Sequence, residues 1–425
     1  MGYRLSTPLF VLACFVTGMA PRSLQGEEIA IRGARIMTME GEPIDNGTIL
    51  IRGTKIEAVG SSLAVPSGAQ VVEAIGLTAM PGIIDAEGVA PGHKISGITG
   101  PMRAELIAGD FFDPYGRDYR PERTLRDLAE WGVTAINVKM TDSNVFDGVS
   151  SVVKIHAPSS YDDHFVKYRA ALRINLGEPP RGEEKKYPTT RMGIVAMVRD
   201  NFIKAQKYQK KWEEFTKGSD DNGKKGPPPR DLKMEHLVSA LEGEIPVMIH
   251  AVEPMDIETA IRIADEFQLR LILSASSMLP EEMVPALRER GITVVLGTFY
   301  AHINNHIEEQ FGFEYETAGM LAGKGVPVAF GGLKGETKLL LVNAGIAVQN
   351  GMDHQQALEA LTINPARMLG VEDRIGSLTA GKDADVVLYR GDPLEITTPV
   401  EKVFISGRLV YERKPFDPTY HNMKH

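Results

Sequence analysis

Two carboxylates, two residues apart, stand where an apolar run ends. The stretch "MPGIIDAEGVAPG" places Asp85 and Glu87 just after Ile83 and Ile84. A strand that ends in a short polar mouth is where a barrel enzyme keeps its reactive groups. Glu87 is a candidate hard oxygen ligand for a cation, with a strand-end salt bridge as the competing reading, and Asp85 is a further pocket candidate. Further on, "AHINNH" sets His302 and His306 four residues apart. On a helix that spacing puts both imidazoles on one face, within reach of one metal ion. No glutamate occupies the zincin position between them, and a solvent-facing pair is the competing reading. Serine-nucleophile and dinucleotide chemistry lack their signatures: there is no Gly-x-Ser-x-Gly elbow, and no Gly-x-Gly-x-x-Gly follows a strand.

The chain has 425 residues, 43% of them hydrophobic, and a formal charge of −9. That is ample for a large core and more than one compact unit usually holds. The acidic balance makes nucleic acid and anionic membrane surfaces poor partners. Arg4, the apolar "PLFVLACFVTGMA" and the polar "PRSLQGEE" read as a secretory signal peptide over residues 1–26. Cleavage is expected after Gly26, with Ala20 as the alternative, and the product is expected in the periplasm or outside the cell. No membrane association is expected apart from export. Cys14, the only cysteine, lies inside that segment, where "VLAC" leaves lipidation open as a second reading. Without Cys14 the mature chain has no disulfide, thiolate ligand or thiol nucleophile.

The elements that must position these groups follow a clear order. Residues 27–80 read as short strands and turns, from "EIAIRGARIMTM" to "AQVVEAIGLTAM". From Pro81 to about residue 375, apolar strands alternate with helical patterns. The strands are "VTAINVKM", "SSVVKI", "PVMIHA", "RLILSAS", "TVVLGTF" and "PVAFGGL"; "DIETAIRIADEF" is one of the helices. Such alternation predicts an α/β fold, a TIM (β/α)8 barrel. Residues 376–415 return to strands, so both termini are expected to build one small composite β-sandwich domain, leaving 416–425 as a tail. "NFIKAQKYQKKWEEFTKG" reads as an inserted helix with Phe202, Ala205, Tyr208, Trp212 and Phe215 on one face.

Three stretches carry a resemblance. "LTAMPGIIDAEG" resembles the barrel entry of the amidohydrolase superfamily, where the run is Met-Pro-Gly-Leu-Ile-Asp-x-His-x-His. "IPVMIHAVEPMDIETAIRIADEFQLRLIL" is similar to its fifth strand and helix, and "LTINPARMLGVEDRIGSLTAGKDADVVLYRGDPL" to its C-terminal signature. The likeness runs from about Glu28 to Glu412 and points to secreted, imidazolonepropionase-like amidohydrolases. It implies zinc or another divalent metal whose bound water, with its pKa lowered to about 7, attacks the carbon of a C–N bond. It also implies metal ligands on strands one, four, five and six, and an aspartate base on strand eight.

Carried over position by position, the paired histidines of strand one fall on Glu87 and Val89. The strand-four lysine falls on Lys154, and the strand-five histidine is kept as His250. The strand-six histidine is replaced by Ala275, and the base position holds Leu333. Valine and alanine ligate nothing, and leucine takes no proton. The leading expectation is therefore an exported amidohydrolase-like protein that has lost its metal site and carries no cofactor. It would bind a ligand, or accompany an intact paralogue or another copy of itself. The alternative is a hydrolase of C–N bonds with a rearranged metal site built from Glu87, Lys154 and His250, with His156 or His302 in support. A purely structural envelope protein is a third reading.

Overall fold

The computed structural model describes residues 28–89, 100–115, 125–140, 143–157, 159–181, 187–217, 226–275, 279–297, 315–332 and 336–414. His302, His306 and Leu333 lie outside them.

Among the described residues five strands come first: β1 (Glu28–Ile36), β2 (Ile44–Arg52), β3 (Lys55–Gly60), β4 (Gln70–Glu73) and β5 (Thr78–Pro81). Three come last: β16 (Val386–Tyr389), β17 (Val400–Ile405) and β18 (Arg408–Glu412). They form one sheet in the order β18-β17-β16-β5-β1-β2-β3, with β4 beside β1. β5 pairs antiparallel with β16, so the two ends of the chain are joined in the middle of the sheet. Ile31, Ile49, Ile51, Val386, Leu388 and Phe404 fill its core.

Between them stand β6 (Ile83–Gly88), β7 (Val133–Val138), β8 (Phe146–Val149), β9 (Ser151–Lys154), β10 (Phe165–Lys167) and β11 (Leu172–Asn175). Then come β12 (Val247–His250), β13 (Leu271–Ala275), β14 (Thr293–Leu296) and β15 (Val328–Phe330). From β11 to β15 neighbours pair in parallel, and so do β6 and β7. The third place in the wall is different: β8 and β9 run antiparallel to β11 and β7 respectively. The eight-strand TIM barrel therefore has one reversed member, and β10 flanks it.

Its interior is lined by apolar side chains, including Ala86, Ala135, Val152, Met248, Ile272 and Val295. Outside lie α1 (Arg191–Thr216), α2 (Leu232–Leu241), α3 (Pro254–Phe267), α4 (Val284–Glu289), α5 (Thr317–Gly323), α6 (Leu340–Gln349), α7 (His354–Leu361) and α8 (Ile363–Leu369). α3 shows why such segments are helical. Ile257, Ala260, Ile261, Ala264 and Phe267 recur at helical spacing and are buried. Pro254 opens the helix, and Gln268 ends it in the left-handed region at φ 56°.

Two expectations change. The helix read as an insertion starts ten residues earlier, at Arg191, capped by the Thr190 hydroxyl accepting from Gly193 N–H. It is a barrel helix: Phe202 is fully buried, stacks on Phe267 and meets Phe146 edge-on. The fourth strand of the barrel is "LRIN" of β11, not "SVVKI", which forms the reversed third strand.

Candidate functional site

Because β9 is reversed, its last residue, Lys154, pairs in register with Ala135 near the start of β7. That is the N-terminal end of the barrel, away from Glu87 near the end of β6. There the buried Lys154 ammonium lies 2.9 Å from Asp383 and 2.9 Å from Asp385, and donates to the Ser406 hydroxyl at 2.8 Å. Burial pushes the Asp383 carboxyl up, but Lys154, Lys55 and Arg374 outweigh it and hold the group at about 2. Lys154 thus does not join Glu87 and His250. His156 lies two residues beyond the end of that reversed strand, so it leaves the barrel at the same end. The aspartates of "GKDADVV" serve here as a clamp between barrel and sheet.

Asp85 is also placed by the fold. Its buried carboxylate accepts from the Gly332 N–H (2.8 Å), the Thr337 hydroxyl (2.6 Å) and the Glu87 N–H (3.0 Å). It ties β6 to the segment that follows β15, where the ring of strands closes. A Cβ at Gly332 would come within 2.6 Å of this carboxylate, so glycine is what lets the chain approach. Burial raises the Asp85 pKa against those three hydrogen bonds. Asp85 acts as a clasp.

What gathers at the C-terminal end is a charged cluster with a polar row above it. Glu87 Oε1 receives the Lys139 ammonium at 2.9 Å and the Arg173 guanidinium at 2.7 Å. All three side chains are 2% exposed or less. Arg173 Nη1 also lies 2.7 Å from Met248 Sδ. Side chains two residues on face the same way along a strand. The in-register residues Asn175, His250 and Ser274 therefore stand one layer above Arg173, Met248 and Ile272. His250 Nδ1 is 3.1 Å from the Ser274 hydroxyl. Asn175 Nδ2 donates to Asn144 O (2.7 Å) and Asp147 Oδ2 (3.0 Å), and Asn137 Nδ2 donates to Ala86 O (3.0 Å). Those partners are pure acceptors, so they fix each amide's orientation. The amide oxygens of Asn137 and Asn175 have no hydrogen-bond partner among the described residues.

These residues do not fit a divalent metal. The carboxylate is already held by two cations, which would repel an ion placed on it. Val89 and Ala275 offer no donor atoms. Among the described residues no three His, Cys, Asp or Glu side chains come together as a ligand set.

Lys139, Arg173, Asn137, Asn175 and Ser274 escaped the reading of the sequence, although a signal exists. "AINVK" and "LRIN" alternate apolar and polar residues with period two, which marks a strand with one polar face.

The solved structure of an amidohydrolase from Thermotoga maritima matches with a TM-score of 0.78 at 31% identity, over 91% of this chain and all of that one. This chain belongs to the amidohydrolase family. The amidohydrolase family model itself matches residues 231–410. An amidohydrolase of Hapsidospora irregularis, tasK, is 24% identical over 91% of the chain, which spans only 43% of that relative's length. An imidazolonepropionase of Shewanella baltica is 32% identical over 30% of each chain. The family is one of hydrolases acting on C–N bonds, and the amidohydrolase barrel confirms the expected TIM fold.

Proposed function

We propose that this amidohydrolase-family chain has given up metal-hydroxide chemistry and acts as a binding protein, or as the companion of an intact paralogue or of its own copies. The observation that carries the reading is Glu87, standing at a family ligand position and clamped between Lys139 and Arg173. A metal hydrolase rearranged around Glu87, Lys154 and His250 has less support, because Lys154 is held by Asp383 and Asp385 at the other end of the barrel.

Export belongs to the same proposal and rests on the composition of residues 1–26. Among the described residues no helix is long and apolar enough to cross a membrane.

Elemental analysis of the purified full-length protein tests the central point. The expected result is far less than one zinc or manganese per chain. A stoichiometric ion that His250→Ala removes would overturn it.

A further inference from the structure

We propose that the outer wall of the barrel beside β9 is a docking surface for an arginine-rich segment of a partner protein, read by exposed tyrosine rings set among carboxylates. Ser151 and Val153 of β9 face outward, since Val152 between them lines the interior. A short 3-10 turn, Ala108–Phe111, lies against that face, where the Gly109 N–H donates to the Ser151 hydroxyl at 2.8 Å. β10 follows a second such turn, Asp162–His164, and pairs with β9 at Val153. A Cβ at Gly109 would come within 2.7 Å of Tyr168 and 3.0 Å of Phe165, so glycine lets the rings close over the wall.

Phe165 stands between Tyr161 and Tyr168, with its ring centroid 5.4 and 5.0 Å from theirs. Tyr161 donates its hydroxyl to the Phe112 carbonyl at 2.9 Å, and Tyr168 donates to Asp110. Both rings are pinned, yet they remain 38% and 40% exposed, and Tyr115 is 79% exposed. The charges that act on these rings share one sign. Burial raises the Tyr161 phenol first, then Asp110, Asp113 and Asp162, and Tyr115 is close enough to add to them. Tyr168 is pushed up to about 12 by burial and then by Asp110. Asp110, Asp162 and Asp163 are exposed and have no ion-pair partner among the described residues.

An apolar partner would strip water from these carboxylates without replacing it, whereas a cation gains from the ring faces and the acids together. Arginine fits better than lysine, because its planar guanidinium stacks on a ring while its edge donates to a carboxylate. The surface lies on the outside of the wall, so the inference holds whether or not the barrel mouth binds an ion.

Fluorescence anisotropy of a labelled hexa-arginine peptide, titrated with the full-length protein at low salt, tests the proposal. Tyr115→Ser keeps the net charge and replaces a mostly exposed side chain, so the fold should be unaffected. It should weaken binding about two- to fivefold, the worth of one exposed cation–π contact. Tyr187→Ser, at a tyrosine 61% exposed elsewhere, should change nothing. Hexa-lysine should bind more weakly than hexa-arginine. Equal affinity of wild type and Tyr115→Ser would sink the proposal, since general attraction to an acidic protein needs no ring. Equal affinity for the two peptides would count against it in the same way. Sedimentation of the protein alone addresses the other occupant. Salt-sensitive self-association that Tyr115→Ser removes would put a second copy on this surface and overturn its assignment to a separate partner.

Discussion

The two ends of the barrel hold buried charge clusters of opposite design. At the base a lysine is surrounded by acids: Lys154 meets Asp383 and Asp385, while Lys55 and Arg374 reach Asp383 from outside. At the mouth an acid is surrounded by cations, Glu87 between Lys139 and Arg173. The base cluster joins parts of the chain far apart in sequence, a barrel strand, the first residue of β3 and the C-terminal segment. It is further satisfied by the Ser406 N–H and hydroxyl. The mouth cluster joins three barrel strands, or the residue following one, and lies beneath a polar row in which the Asn175 amide oxygen is buried without a partner among the described residues. The difference separates a fastening from a site. At the base the acids are tied to cations from three parts of the chain, with only Asp385 Oδ2 of that cluster lacking a partner among the described residues, whereas the mouth presents further polar chemistry above its charges.

Removing the central ion of each cluster should expose that difference. Lys154→Met leaves two acids buried without their ammonium and should cost about 3–5 kcal/mol in urea unfolding. A loss below about 1 kcal/mol would mean that Lys55 and Arg374 suffice. Glu87→Gln keeps an acceptor between the two mouth cations and should cost less, about 1.5–3 kcal/mol in the same measurement. A larger loss than at Lys154 would reverse the ranking and make the mouth the structural keystone.

The smallest effect concerns acid. The Asp383 carboxyl is held at about 2, below its ordinary 3.8, so its contribution is complete above pH 3.8 and is lost as pH falls toward 2. Asp85 is raised, so its contribution is complete below its ordinary value and is lost as pH rises through its folded pKa. Stability should therefore lose some of its acid slope between pH 2 and 3.8 in Asp383→Asn, and rise more steeply with pH just above 3.8 in Asp85→Asn. Equal slopes in the two variants would contradict the assignment.

Much of this fold can be read from the sequence because apolar runs and helical spacing report burial directly. β12 to β15, α3 and the pairing of the two chain ends follow from such runs. The fourth strand was hidden for a physical reason. Its inward residues, Arg173 and Asn175, are polar, and they are tolerated inside only because Glu87, Asn144 and Asp147 meet them. Those partners are distant in sequence and invisible to a local pattern. Without β11, "SVVKI" takes the fourth place in the count, which puts Lys154 and His156 at the wrong end. His250 was legible because both its type and its strand match the family. Its neighbours Ser274 and Asn175 became visible only through register.

The reversed third strand also bears on how the barrel assembles. β7, β8 with β9, and β11 are neighbours both in sequence and in space, and their antiparallel pairing needs no helix to carry the chain back across the wall. Closing such short loops costs little entropy, whereas each parallel step from β11 onward waits on a long crossover. That sector of the wall is therefore the one that can form on its own before the rest of the ring is in place.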